Sequence, residues 1–290
     1  MEFRTIVNIP KPQFEIAPHD EVLLVGSCFA DSIGQRFREE GFPVTVNPFG
    51  TMYNPVSVLH TLEKMRDGEN EKMRDSRTVL SSFKHVFLTL GTNHVYREKA
   101  TGEIVDNCQK RPASLFTEEE LTVEQCTHYL QRTVDVLCRE NPSLNIVFTV
   151  SPIRYRKYGY HESQLSKATL LMAIDRLLKT EAELSNVNCQ LSIHYFPAYE
   201  IMNDELRDYR FYAADMLHPS GQAVEYIWER LVDTYFSAEA RQWLDDWRPV
   251  KQALAHRPFD AESEEYRAFM DKTMLKVEAL RKKYPNFAGL

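Results

Sequence analysis

Five short apolar runs punctuate the chain as far as Phe196, and each stops at small or polar residues. Glu21 to Val25 precedes Gly26-Ser27, Pro43 to Val46 precedes Asn47-Pro-Phe-Gly50, and Val86 to Leu90 precedes Gly91-Thr-Asn93. Ile146 to Val150 precedes Ser151-Pro152, and Leu191 to Phe196 precedes Pro197-Ala198. Apolar, β-branched runs without alternation predict strands buried on both faces, as in a parallel sheet covered by helices. Between them the period lengthens to that of a helix over Asp31 to Glu40, Pro55 to Arg66, Thr122 to Arg139, Ser163 to Leu184 and Gly221 to Phe236. In the fourth of these, Leu165, Leu170, Leu171, Ile174, Leu177 and Leu178 form a stripe suited to core packing. The alternation predicts an α/β fold on a five-stranded parallel sheet. Ligands of such sheets bind outside the carboxyl ends of the strands, so the polar residues that end the runs converge on one edge.

From Ser237 the pattern changes to amphipathic, charged helices without strands, including Trp243, Trp247 and the stretch Ser263 to Tyr284. The expected division is a main domain over 1–236 and a helical extension over 237–290 packed on it, with a lid or dimer contact as the alternative. Arg281-Lys-Lys283 suits the negative end of a helix dipole. Glu-Lys-Met-Arg-Asp occurs twice, at 63–67 and 71–75. Two copies make no solenoid, and the stretch reads as a solvated helix end and loop.

With 290 residues, 43% of them apolar, the chain can bury a large core. Its net charge of −7 lends no electrostatic support to nonspecific binding of nucleic acid or anionic membrane. No stretch of eighteen apolar residues occurs, and Met1-Glu-Phe-Arg-Thr lacks the basic and apolar regions of a signal peptide, so a cytoplasmic location is expected. The five cysteines, at 28, 108, 126, 138 and 189, are odd in number, widely spaced and without a C-x-x-C pair. They are expected to be reduced thiols, mostly buried. His85, His94, Cys108 and His161 show no metal-ligand spacing, and neither a metal nor an organic cofactor is expected.

Two places carry candidate chemistry. Ser27 stands where a buried strand turns into a helix, beside backbone N–H groups and the positive end of a helix dipole. A serine there needs a base. Asp215-Met-Leu-His218 offers an imidazole and, three residues before it, a carboxylate able to set its tautomer. Donors for an oxyanion lie at strand ends: the Ser27 N–H, the Gly50 N–H and the Asn93 side chain. Other readings stand beside these. Ser27 could only cap the helix, and Asn93 only close a turn. Cys28 could be the nucleophile, its pKa lowered at the helix start, although the adjacent position is expected to point differently. His94 reads as a packed or exposed loop residue. Arg154 and Arg156, after Ser151-Pro152, suit either an anionic substrate or a surface ion pair.

Gly26-Ser27-Cys28-Phe29-Ala30 spells the motif of the GSCFA domain family, and the chain resembles that family, a branch of the SGNH (GDSL-like) hydrolases. The resemblance runs from about Leu23 to about Phe236, through Asn47-Pro-Phe-Gly50, Gly91-Thr92, Ser151-Pro-Ile-Arg154, Gln164-Leu-Ser-Lys167 and Asp215-Met-Leu-His218. It implies a flavodoxin-like, three-layer α/β/α fold with Ser27 as nucleophile, His218 as base and Asp215 behind it. It further implies an oxyanion hole completed by Gly50 and Asn93, or by Thr92 in place of Asn93. The reaction expected is cleavage of a carboxylic ester, such as an acetyl group on a sugar or small metabolite, through an acyl-enzyme on Ser27. An acyltransferase using the same serine, and a noncatalytic carbohydrate-binding or scaffolding protein, are the alternatives.

Overall fold

A computed structural model describes residues 4–68, 79–184, 191–260 and 262–284. Its centre is a five-stranded, all-parallel sheet of β1 (Val22–Gly26), β2 (Val44–Val46), β3 (His85–Leu90), β7 (Asn145–Val150) and β8 (Ser192–Tyr195). The spatial order β2-β1-β3-β7-β8 is the flavodoxin-like order. β1, β3 and β7 are buried along their whole length, whereas the edge strands β2 and β8 are half-buried.

Because side chains alternate along a strand, the sheet feeds two cores. Val22, Leu24, Phe87 and Val147 face α1 (Cys28–Glu39) and α6 (Gly221–Tyr235). Leu23, Val25, Val86, Leu88, Ile146 and Phe148 face α2 (Pro55–Asp67), α3 (Val123–Glu140) and α4 (Tyr160–Leu184). This is the three-layer α/β/α arrangement. A short helix, α5 (Ala198–Glu200), runs into a wide π turn over Ile201–Leu206 before the chain reaches Tyr209.

The helices past Ser237 are α7 (Ala238–Leu254) and α8 (Glu264–Lys283). Trp243, Trp247 and Val250 of α7, with Val277 and Leu280 of α8, join the core of α1 and α6. Trp243 Nε1 donates to the Glu40 carbonyl at 2.7 Å and Trp247 Nε1 to the Glu39 carbonyl at 3.0 Å, so the indoles close the C-terminal end of α1. Tyr284 sets its ring edge-on to Trp243.

Four findings depart from the sequence reading. α1 begins at Cys28 rather than Asp31, with Ser27 as its N-cap. Between β3 and α3 the chain forms a second, antiparallel sheet, ordered β5-β4-β6, from β4 (His94–Glu98), β5 (Ile104–Val105) and β6 (Phe116–Glu120). Its solvent face carries charge, and Arg97 clasps Glu119 across it with bonds of 2.8 and 3.0 Å. Cys28, Cys108 and Cys126 are free, but Cys138 is disulfide-bonded, because spacing along the chain says nothing of distance in the fold. Among the described residues, Cys126 is the only free thiol that is buried. The first Glu-Lys-Met-Arg-Asp copy ends α2; the second lies outside the described residues.

Candidate active site

The carboxyl end of β1 fixes the first half of the site. Gly26 has φ 145°, and a Cβ there would lie 2.1 Å from the Thr89 carbonyl oxygen, so only glycine lets β1 run this close to β3. The Ser27 N–H donates to that same oxygen at 3.0 Å. Ser27 then caps α1: its Oγ accepts from the Phe29 N–H at 3.3 Å, and the residue is 2% exposed. Cys28, the first helical residue, is partly exposed and takes the next direction around the helix start. Asn47 braces the turn, accepting from the Gly26 N–H at 2.8 Å and donating to Asp31 at 2.8 Å.

The second half is the hairpin that joins Tyr212 to Pro219 in an isolated bridge. Met216 sits at φ 59° inside it. One Asp215 oxygen accepts from the Leu217 and His218 N–H groups at 2.9 and 3.0 Å. The other accepts from His218 Nδ1 at 2.6 Å. These bonds, from the two backbone N–H groups first and then from the imidazole, hold the Asp215 carboxyl down at about 2. An anionic Asp215 selects the tautomer with the proton on Nδ1 and leaves Nε2 as an acceptor.

Nε2 lies 3.5 Å from Cys28 Sγ. The structure thus brings together Cys28, His218 and Asp215, while the Ser27 hydroxyl is turned to the Phe29 N–H. The thiol departs from its expected ionisation as well: burial pushes it up, and Asp31 adds to this, against the Cys28 and Phe29 N–H groups and Lys167. A thiol so placed stays protonated until a base removes its proton.

The expected oxyanion donors are all engaged. The Gly50 N–H donates to the Asn47 carbonyl at 2.8 Å and Asn93 Nδ2 to the Leu121 carbonyl at 2.8 Å. Asn93 Oδ1 is buried with no partner among the described residues; flipping the amide would set oxygen against the Leu121 carbonyl, so the orientation is fixed. Thr92 Oγ1 pairs with Ser166 Oγ at 3.0 Å and accepts from the His94 N–H at 3.1 Å. His94 is buried and stacks on Tyr158 with ring centroids 3.7 Å apart. Arg154 reaches the hairpin, its N–H bonding the Leu217 carbonyl at 3.0 Å and its Nη1 the Met216 carbonyl at 3.1 Å. Arg156 is exposed in a short turn.

One residue of the site was given no role by the sequence, although it closes the Gln164-Leu-Ser-Lys167 block of the family resemblance. Lys167 is 2% exposed, and its Nζ donates to the carbonyls of Gly91 at 2.7 Å and Ser151 at 2.8 Å, tying the ends of β3 and β7. Burial pushes its ammonium down to about 7, with the neighbouring Cys28 acting the other way. The signal was present in the spacing: Lys167 precedes Leu170, Leu171 and Ile174 by three, four and seven residues, on the apolar stripe of α4. Among the described residues, no three of the histidines, cysteines and acids gather into a metal-holding group, and no helix is long and apolar enough to cross a membrane.

The sheet order and the strand-to-helix turn at Gly26 define a flavodoxin-like α/β protein with its candidate site at the strand ends. The chain belongs to the GSCFA family, whose model matches residues 21–74 and 63–231; the model of the GSCFA domain protein C-terminal domain matches residues 247–289. Similar solved structures include a carbohydrate esterase family 3 protein from Talaromyces cellulolyticus, at 10% identity and TM-score 0.40 over 78% of this chain and 99% of that one. A family two carbohydrate esterase from Clostridium thermocellum in complex with cellohexaose is similar at 11% identity and TM-score 0.42, over 79% of this chain and 66% of that one. A protein from Parabacteroides merdae described as a GDSL-like lipase is similar at 10% identity and TM-score 0.45, over 78% and 98%. No curated protein matches the chain.

Proposed function

We propose that this protein hydrolyses a carboxylic ester through an acyl-enzyme, with Cys28 as nucleophile, His218 as general base and Asp215 as the group that orients the imidazole. The observation that carries the reading is the 3.5 Å approach of His218 Nε2 to Cys28 Sγ, with Asp215 on the opposite ring nitrogen at 2.6 Å. The motif resemblance to SGNH hydrolases supports acyl chemistry at this turn and assigns it to the neighbouring Ser27.

In the first step Nε2 takes the thiol proton as sulfur bonds to the ester carbon, and the carbonyl electron pair moves onto oxygen. The oxyanion forms at the start of α1, where the Cys28 N–H lacks an intrahelical acceptor and the helix dipole is positive. Gly50 or Asn93 could assist only by giving up its present bond. The tetrahedral species collapses as the imidazolium returns its proton to the leaving alkoxide, which leaves a thioester on Cys28. Water, deprotonated by Nε2, then attacks the thioester; collapse releases the acid and restores the thiol.

Turnover of p-nitrophenyl acetate, with fluorophosphonate and iodoacetamide labelling mapped by mass spectrometry, tests this in Ser27→Ala, Cys28→Ala and His218→Ala. Loss of Cys28 or His218 is expected to lower kcat/KM by roughly 10³-fold or more. Ser27→Ala, which removes a cap, is expected to remain within about tenfold. Inactive Ser27→Ala beside active Cys28→Ala would transfer the nucleophile to the serine. Ester formation with added alcohols in preference to hydrolysis would make the enzyme a transferase.

A further inference from the structure

Beside the His218 hairpin lies a cleft of about 230 Å³ that the acyl chemistry does not use, lined by Arg154, Gln164, Met202, Asn203, Arg207, Asp208, Tyr209 and Tyr212. Met202, 1% exposed, is its apolar floor, and Tyr209, 67% exposed, stands at its rim. The Arg154 guanidinium lies 4.2 Å over the Tyr160 ring, 5.3 Å over Tyr212 and 5.8 Å over Tyr209. Only its Nη1 bonds a protein acceptor, the Met216 carbonyl, and among the described residues no carboxylate pairs with it. Arg207 is a second guanidinium at the cleft, 3.8 Å from Asp204 and largely exposed. Asn203 spends its amide on the Tyr199 carbonyl, and Gln164 accepts from the Tyr199 hydroxyl, so both carboxamides are held in place.

The cleft's one lining carboxylate, Asp208, accepts from the Arg210 N–H at 2.9 Å and lies 4.0 Å from Arg210 Nε, which leaves an arginine packed on three aromatic rings with spare donors, organised to receive an anion. The cleft has room for one hexose-sized ring, and its tyrosine faces and fixed amides suit the apolar faces and hydroxyls of such a ring. Arg154 also ties the cleft to the site, because its backbone and side chain bond the carbonyls of Leu217 and Met216, next to His218. We propose that this cleft binds the alcohol half of the substrate, and that this half is a sugar ring bearing a carboxylate or phosphate. The inference rests on the esterase reading for its role, but the binding it predicts is measurable without turnover.

The test is a titration of the full chain, by calorimetry and ligand-detected NMR, with methyl glucuronoside, glucose 6-phosphate and neutral methyl glucoside. At least one anionic sugar is expected to bind about tenfold or more tightly than the neutral one, with the preference shrinking as salt is raised. The carboxylate and phosphate arms identify which anion is read. Arg154→Gln and Arg207→Asn are each expected to erase most of the preference; asparagine tolerates the left-handed backbone of Arg207, at φ 39°. Because Arg154 also holds the hairpin, Arg207→Asn and Tyr209→Ala carry the test if Arg154→Gln unfolds. Equal binding of all three sugars, no binding, or a preference untouched by Arg207→Asn would overturn the proposal. Failure of the esterase reading shows separately, as absent turnover of p-nitrophenyl acetate.

Discussion

Removing the indole of Trp243 is expected to destabilise the whole molecule, because the helix that bears it lies in the main core. Trp243 is 0% exposed, stacks on Trp247 at 5.6 Å between centroids and meets Tyr284 edge-on at 5.0 Å. Truncating a buried tryptophan to alanine costs roughly 3–5 kcal/mol. The Glu40 carbonyl, which now accepts from Trp243 Nε1 at 2.7 Å, would lose that donor, adding about 1 kcal/mol. Trp243→Ala is therefore expected to lose about 5 kcal/mol. Trp243→Phe keeps most of the apolar area but not the donor, and is expected to lose about 1–2 kcal/mol. Urea unfolding followed by tryptophan fluorescence and by far-UV circular dichroism provides both values. The two probes should report one transition, shifted to lower urea in both variants. A loss below about 1 kcal/mol in Trp243→Ala, or a separate early transition that alone responds to the substitution, would refute the argument. The C-terminal helices would then be an appended unit rather than part of the core.

Two further outcomes follow from charge and hydrogen bonding. Asp215→Asn would present an amide N–H to His218 Nδ1 and favour the tautomer protonated on Nε2, which cannot take a proton from Cys28; kcat/KM is expected to fall by roughly 10³–10⁴. The melting temperature should barely move, since both partners are about half exposed, and a fall below tenfold would remove Asp215 from the relay. At the opposite end of the sheet, burial pushes the Asp20 carboxyl up, but bonds from His85, the Ala17 N–H and Lys84 outweigh it and hold it at about 2, against an ordinary 3.8. The stability this carboxylate contributes is complete above pH 3.8 and is lost as pH falls through about 2, by up to roughly 2 kcal/mol. Urea titrations between pH 2 and 5 should show that slope in the wild type and a flatter one in Asp20→Asn.

What the sequence disclosed follows from how each signal arises. The central strands were legible because burial on both faces leaves an uninterrupted apolar run, as in Val86 to Leu90. The small sheet was not, because Phe116-Thr-Glu-Glu-Glu120 puts charge on a face that only the partner strand β4 makes intelligible. The pairing of Asp215 with His218 is local, and three residues of spacing sufficed to suggest it. Which side chain meets His218 is a matter of phase. At the start of α1 a shift of one residue turns a side chain by about 100°, and the helix begins three residues earlier than its periodicity suggested. Ser27 thereby becomes the cap and Cys28 the residue that faces the imidazole. The engagement of Gly50 and Asn93 with Asn47 and Leu121 is tertiary, and no local pattern announces it.

The tie made by Lys167 gives the two sides of the cleft unequal mechanical character. On one side Gly26 is packed against β3, and the Gly91 and Ser151 carbonyls are held by a buried amine, so the strand ends that lead to Cys28 are braced by backbone bonds. On the other side Asp215, Met216 and His218 are all exposed, on a hairpin fastened by a few bonds. Under the proposed chemistry, substitutions around Tyr209 would change which alcohol is accepted, whereas changes inside the hairpin would also disturb the Asp215–His218 pair that it carries.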